Sequence, residues 1–176
     1  MTNQIKVCGI LRDDGACGFN RIKQPIEMVN ERFGIDSAIG GINCNGSDLN
    51  ALLESCDIAV IPRPTSEKML DLITALKGLG KKVIAVHDDN IFNVNPMSPH
   101  YNDSGVEEVD VEIGGEKVRV WEDGKVHTGA EDKFDIEQNK KKIEIAEECL
   151  RAVDAVTVTT EELRQQLLSY NENIYV

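Results

Sequence analysis

The amino-acid sequence predicts an α/β fold, a Rossmann-like parallel sheet flanked by helices, with a small inserted antiparallel β-meander. Two apolar runs at residues 58–61 and 83–86 contain no alternating polar residues, which is typical of parallel strands covered on both faces. Apolar residues between the two runs recur at helical spacing, so this segment is predicted to be a βαβ unit. Residues 106–126 instead alternate with period two around Gly-Gly and Asp-Gly turns, which predicts the meander.

The chain begins with a predicted strand at residues 5–11, and a loop that contains Gly15 and Gly18 follows it. These glycines permit a tight turn with exposed backbone amides, and Pro25 can open the next helix. Such a loop could hold a phosphate or a sugar. It lacks a complete G-x-G-x-x-G motif and a Walker lysine, so ordinary turn glycines are the simpler interpretation. Arg21, just before the helix, either faces the cleft or is a surface charge.

A second strand is predicted at residues 37–42, and a short helix after it begins at a capping serine or aspartate. The central βαβ unit follows, and Thr65 or Ser66 caps its helix. Residues 90–101 then form a long loop without periodicity, and long loops in compact domains are usually functional or disordered. His100 lies in this loop, where a solvated side chain is a simpler role than a proton carrier.

The whole chain, residues 1–176, is interpreted as a single Rossmann-like domain with the meander inserted at residues 106–127. Trp121 lies on the meander, and packing against the parent domain is the simplest role for its ring. The remaining predicted elements are a helix at residues 135–152, a strand from residue 155, a helix at residues 161–168 that Thr159 or Thr160 caps, and the start of a strand at residues 173–176. Because that strand has no cap or tail, we expect the natural polypeptide to continue or another chain to complete the sheet.

Charged and polar side chains follow the two strands of the central unit. Arg63 comes after the first strand, and His87, Asp88 and Asp89 come at the end of the second. Open α/β sheets bind ligands outside the carboxyl ends of their strands, so these side chains are expected to converge on one site. The alternative is that Arg63 only pairs with one aspartate and joins two loops. The two aspartates and His87 could also bind a divalent cation, but two neighbouring carboxylates are too few ligands to predict a metal site.

Composition limits the partners and the location of the protein. Acidic residues outnumber basic residues 31 to 19, which gives a formal net charge of −12. An acidic surface repels phosphate backbones, so we expect no nucleic-acid partner. No apolar run reaches the length needed to cross a bilayer, and the first residues show no signal-peptide pattern, so we expect a cytoplasmic protein.

The five cysteines have no C-x-x-C pair and no regular spacing. This pattern indicates reduced thiols rather than zinc ligands or a disulfide framework. Cys8 and Cys149 lie within apolar elements and are predicted to be core residues. Cys17 lies in the glycine-containing loop and is the cysteine predicted to be exposed.

Several motifs, taken in their order and spacing, resemble the N-terminal domain of GT-B fold glycosyltransferases. The nearest likeness is to bacterial and bacteriophage forms that transfer a sugar from a nucleotide donor, and it covers nearly the whole chain. The loop at residues 15–21 with Pro25 also resembles the family's first loop, which faces the interdomain cleft. The other motifs are Ile-Pro-Arg-Pro at residues 61–64, residues 80–92, Asn-Pro at residues 95–96, the hairpin that carries Trp121, residues 134–139 and residues 153–163.

The resemblance implies a two-domain enzyme that needs no metal or other cofactor beyond the nucleotide-sugar donor as co-substrate. Its N-terminal domain would bind mainly the acceptor, a saccharide or another hydroxyl compound, and its C-terminal domain would bind mainly the donor. The donor domain is not part of these 176 residues, so this chain is expected to need that domain or a partner chain for transfer. The implied catalytic residues are Asp88 and Asp89, which would orient acceptor hydroxyls or assist their deprotonation. The implied substrate-binding residues are Gly15, Gly18, Arg21, Arg63 and His87.

Two other classes of protein stay open. Acidic residues 13 and 14 after the first strand suggest a phosphorylation receiver domain. Such domains need an aspartate after the third strand and a lysine after the fifth, where this sequence has Pro-Arg at residues 62–63 and Thr-Thr at residues 159–160. The second class is a non-enzymatic, acidic α/β binding module, which could form a homo-oligomer through the open sheet edge at Val176.

Overall fold

The computed structural model describes residues 5–11, 15–41, 46–95, 104–106, 109–113, 116–120 and 136–176. The chain divides into two compact units, Met1–Asp88 together with Glu148–Val176, which we call the sheet unit, and Asp89–Glu147, which we call the hairpin unit. No helix in the described segments is long and apolar enough to cross a membrane.

Eight strands are described: β1 (Lys6–Leu11), β2 (Asp36–Gly41), β3 (Ile58–Pro62), β4 (Lys82–His87), β5 (Val109–Ile113), β6 (Glu116–Val120), β7 (Ala155–Val158) and β8 (Ile174–Tyr175). Six of them form an all-parallel sheet in the order β2-β1-β3-β4-β7-β8, which confirms the predicted Rossmann-like fold class. The chain moves one way from β1 to β2 and the other way from β3 onward. The boundary between β1 and β3 is therefore the topological switch point, where sheets of this kind bind ligands.

The described helices are α1 (Ala16–Gly18), a π-helical turn (Phe19–Lys23), α2 (Gln24–Phe33), α3 (Gly46–Ser55), α4 (Glu67–Gly78), α5 (Ile136–Ala152) and α6 (Glu161–Leu167). Two of the predicted helix starts are confirmed. Ser66 is the residue that precedes α4, and Thr160 caps α6 because its hydroxyl accepts a 3.1 Å hydrogen bond from the amide of Leu163.

The segment after β1 differs from the predicted glycine loop, because the chain is helical from Ala16 to Phe33. Pro25 lies in the first turn of α2, as predicted. A proline has no amide hydrogen, and its ring clashes with the carbonyl four residues earlier in a regular α-helix. Just before this proline the amide of Gln24 bonds to the carbonyl of Phe19, five residues back, so a π-helical turn adjusts the register there.

The two faces of the sheet are covered unequally. One face carries buried apolar side chains from three strands: Ala59, Ile61, Val83, Ala85, Val156 and Val158. The alternating residues on the opposite face are only half-buried over the same strands, among them Ile58, Val60, Ile84 and Thr157. On that second face Ile22 and Ile26 of the helical segment pack with Val86. Among the described residues, the central strands are therefore covered more completely on one face than on the other, whereas the sequence predicted cover on both.

The hairpin unit contains β5 and β6, which pair antiparallel with Val111 opposite Val118. The described residues thus contain a two-stranded hairpin and do not support the predicted antiparallel meander. Trp121, Val126 and His100 lie outside the described residues. Within the same unit, the side chain of Asn139 on α5 donates a 2.9 Å hydrogen bond to the carbonyl of Gly105.

Candidate functional site

The first feature of the site is the backbone after β3, at the carboxyl edge of the sheet. Arg63 has a φ of +35°, a left-handed conformation that is uncommon for a residue other than glycine. Its amide donates a 2.9 Å hydrogen bond to the carbonyl of Val86 on β4. The neighbouring strand thus helps to hold this strained backbone beside the switch point, and such conformations are concentrated at functional sites.

Two arginines and one aspartate, which we call the edge cluster, meet at this edge. The Nε atom of Arg63 lies 3.4 Å from Oδ1 of Asp88, and the Nε atom of Arg21 lies 3.8 Å from Oδ2. The Asp88 side chain is only 12% exposed, against 28% for Arg63 and 44% for Arg21. The predicted convergence of Arg63 and Asp88 is confirmed. Because both arginines are partly exposed, these ion pairs contribute little stability, on the order of 1 kcal/mol each or less.

His87, the last residue of β4, is fully buried. Neither of its ring nitrogens has a hydrogen-bond partner among the described residues. Burial is the main reason that the pKa of His87 is lowered to about 4. The Asp88 carboxylate raises this pKa and the Arg63 guanidinium lowers it, both by smaller amounts. The imidazole is therefore neutral near pH 7, with one nitrogen that donates a hydrogen bond and one that accepts.

A cavity of about 400 Å³, which we call the α2 cavity, adjoins His87 within the sheet unit. Its polar lining is concentrated at the carboxyl edge, while apolar residues of α2 and of four strands line the rest. The lining residues are Val7, Asn20, Arg21, Pro25, Ile26, Val29, Ile58, Val60, Ile84, Val86, His87, Thr157, Val158 and Thr159. This volume is within the range of small-molecule sites.

A second, much smaller depression of about 10 Å³ joins the glycine segment to the edge cluster. Its lining includes Cys17 and Gly18 together with Arg21, Arg63 and Asp88. Gly18 is a buried residue of α1, and Gly15 is the residue that precedes this short helix. The structure therefore brings Gly18, but not an open glycine loop, next to the two arginines. Cys17 is exposed and Cys8 and Cys149 are buried, as the sequence predicted.

Two site residues have positions that the sequence did not indicate. The hydroxyl of Thr159, just after β7, donates a 3.2 Å hydrogen bond to the carbonyl of Asp88. The place of Thr159 directly after a strand is the sequence signal for this position, whereas the sequence pattern predicted only a helix cap there. Asp89 is exposed and is the first residue of the hairpin unit, so its predicted catalytic role stays a prediction.

The chemistry available at this edge is ionic and hydrogen-bonding. Two guanidinium groups can bind an anionic or hydroxyl-rich ligand, whereas the fully buried imidazole of His87 presents no atom to solvent. Among the described residues, no group of three His, Cys, Asp or Glu side chains is placed to hold a metal ion. No family model, curated protein or solved structure matches this chain.

Proposed function

We propose that this chain is the acceptor-binding, N-terminal part of a glycosyltransferase that uses a nucleotide-sugar donor. The observation that carries the proposal is the position of the edge cluster at the carboxyl edge of a Rossmann-like sheet, beside its switch point, where the polar end of the α2 cavity also lies. Open α/β sheets bind their substrates at this position. The motif resemblance to GT-B enzymes supplies the reaction class.

In this proposal the edge cluster binds the acceptor. The Arg63 guanidinium donates hydrogen bonds to the oxygens of acceptor hydroxyls, and the Asp88 carboxylate, whose Oδ1 lies 3.4 Å from Nε of Arg63, accepts hydrogen bonds from acceptor hydroxyls. Asp88 and Asp89 orient the attacking hydroxyl or assist its deprotonation, which requires that a carboxylate oxygen reach that hydroxyl within hydrogen-bond distance.

The donor is held by a further domain or a partner chain, and no metal or cofactor takes part. This chain by itself therefore binds the acceptor without transferring sugar. A cytoplasmic location, where nucleotide sugars are available, and self-association into a homo-oligomer belong to the same proposal.

The test is a titration of the isotope-labelled protein with a panel of saccharides and nucleotide sugars, followed by NMR amide correlation spectra. We expect shifts at Gly18, Arg21, Arg63 and Asp88 with at least one saccharide. Arg63→Met should weaken that binding about tenfold or more, because it removes hydrogen bonds from a charged donor. The matched control is Arg32→Met, which changes an exposed arginine in the last turn of α2. This variant should bind the saccharide normally. If no saccharide shifts these amides, the proposal is wrong.

A non-enzymatic binding module is the second candidate, and one observation favours it. Asp88 is paired with two guanidinium groups. A structural ion pair explains this arrangement without any catalytic role for Asp88. A sugar-transfer assay separates the two candidates. It uses the protein isolated from its own source, together with any chain that copurifies with it. Transfer of labelled sugar that Asp88→Asn abolishes supports the enzyme. Saccharide binding without transfer in every preparation supports the module.

A further inference from the structure

We propose that the α2 cavity binds an anionic amphiphile, with the apolar chain along the sheet face and the carboxylate or phosphate head at the carboxyl edge near Arg21. This inference goes beyond the glycosyltransferase proposal and does not depend on it. It rests on two separate features of the cavity: its one-sided polarity and an arginine with donors available.

The polarity of the cavity has a direction. Along β3 the lining runs from Ile58 past Val60 toward the edge, a distance of roughly 13 Å for the five-residue strand at about 3.3 Å per residue. Ile84 lies beside these residues on β4, and Val29 forms part of the helical wall. These side chains are only half-buried, so apolar surface is left for an apolar chain to cover. A nucleobase would meet few polar partners along this length, so the lining favours an aliphatic chain.

The edge of the cavity carries the hydrogen-bonding groups. Arg21, Thr157 and Thr159 line the cavity here. The hydroxyl of Thr157 can donate a hydrogen bond to a head-group oxygen, whereas the hydroxyl of Thr159 already donates to the carbonyl of Asp88. His87 takes no part, because it is 0% exposed and alternation places its side chain on the opposite face of β4, with Val83 and Ala85.

The charge at this end is positive. Arg21 lines the cavity, and its Nε lies 3.8 Å from the Asp88 carboxylate, which is an ion-pair distance but too long for a hydrogen bond. The guanidinium therefore retains N–H groups for a ligand, and its side chain is 44% exposed. An anionic head satisfies this arginine, whereas a neutral or cationic head does not.

The experiment is isothermal titration calorimetry of the full chain with decanoate and decyl phosphate below their critical micelle concentrations. We expect saturable binding at a single site, and the tighter of the two probes identifies the head group. Shorter probes should bind more weakly, by about three- to fourfold per methylene group removed. Affinity that does not depend on chain length would overturn the proposal.

Two variants localise the binding. Arg21→Met should weaken amphiphile binding about tenfold to a hundredfold, because it removes a charged hydrogen-bond donor. Val29→Trp should abolish the binding by filling the α2 cavity. The matched control is Asn30→Trp, an exposed position on the same helix, and circular dichroism verifies that all variants remain folded. Equal affinity in Val29→Trp and Asn30→Trp would overturn the proposal, because the amphiphile would then bind elsewhere.

Sedimentation velocity tests the other occupants of this sheet face. If the protein forms a dimer that Val29→Trp dissociates, and decanoate gives no heat of binding, a second copy of the chain covers the face and the proposal is wrong. A monomer that binds no decanoate equally overturns the proposal.

Discussion

The protonation of His87 is linked to folding. Its pKa is about 4 in the folded protein and 6.5 when unperturbed, mainly because of burial. Between these values the unfolded chain binds a proton that the folded protein does not, so the free energy of unfolding decreases as the pH falls through this window. The contribution is fully present above pH 6.5, and the loss reaches roughly 3 kcal/mol near pH 4.

His87→Leu should remove this part of the pH dependence. Asp88 and Arg63, the charged groups that act on His87, remain in the variant, so the difference between the two proteins isolates the imidazole. Urea unfolding at several pH values between 4 and 8 measures it. We expect the variant to gain stability relative to the native protein as the pH falls. If the free energies of unfolding of the two proteins changed in parallel with pH, His87 would have to be protonated, or accessible to water, in the folded state.

Gly9 on β1 is a residue where close packing requires the absence of a side chain. A Cβ atom there would lie 2.7 Å from Cγ2 of Ile22 and 3.0 Å from Cγ1 of Ile26. Gly9→Ala should therefore reduce the free energy of unfolding by about 1–3 kcal/mol, because buried isoleucines must shift. Gly78→Ala is the control: no described atom lies within 4 Å of its Cβ position at the end of α4, and we expect a small gain of about 0.4–1 kcal/mol. Equal urea midpoints for the two variants would contradict this account of the packing.

At the scale of single elements, the start of α6 offers a direct test of helix capping. The Thr160 hydroxyl accepts a hydrogen bond from the amide of Leu163. Glu161 and Glu162 lie in the first turn, where their negative charges interact favourably with the helix dipole. Thr160→Ala should cost about 1 kcal/mol of stability. Thr74→Ala, at an exposed position inside α4, should change stability by less than about 0.5 kcal/mol. A similar loss in both variants, measured by thermal unfolding, would show that the cap contributes nothing specific.

Comparison of sequence and structure shows which elements local patterns can predict. The apolar runs at residues 58–61 and 83–86 identified β3 and β4, because buried parallel strands have few other sequence patterns. The helix from Ala16 was missed because Gly15 and Gly18 indicate turns, whereas Ile22 packs against the sheet and favours a helix there. That packing involves residues distant in sequence, so local propensity does not reveal it.

The candidate site follows the same division. Arg63 and Asp88 could be brought together from sequence, since neighbouring parallel strands end at one edge. The positions of Arg21 and Thr159 were harder to predict. Arg21 lies at the site because its segment is helical, and Thr159 lies there because β7 pairs with β4. The assignment of Asp89 to a different unit depends on the whole set of contacts, which no local pattern encodes.

At the scale of the whole molecule, strand order explains why one sheet face is less covered. Right-handed crossovers are nearly universal in parallel sheets, so the direction of each connection decides the face on which its helix lies. The connection from β1 to β2 runs opposite to those from β3 to β4 and from β7 to β8. The Ala16–Phe33 segment therefore lies on one face, and α4 and α6 lie on the other. The α2 cavity is a consequence of this topology, because a single helical segment flanks that face within the described sheet unit.

The net charge of −12 predicts how salt acts on the two kinds of anion considered above. A nucleic acid extends over many charges of the surface and is repelled, whereas a small head group at Arg21 interacts mainly over a few ångströms. Raising the ionic strength from about 0.01 M to about 0.1 M shortens the Debye length from about 30 Å to about 10 Å, which screens the distant carboxylates first. Decanoate should therefore bind equally well or more tightly as salt increases, in calorimetric titrations across this range. A labelled DNA duplex should give no change in fluorescence anisotropy at any of these salt concentrations. DNA binding that weakens steeply with salt would reveal a basic surface for which the charge balance gives no reason.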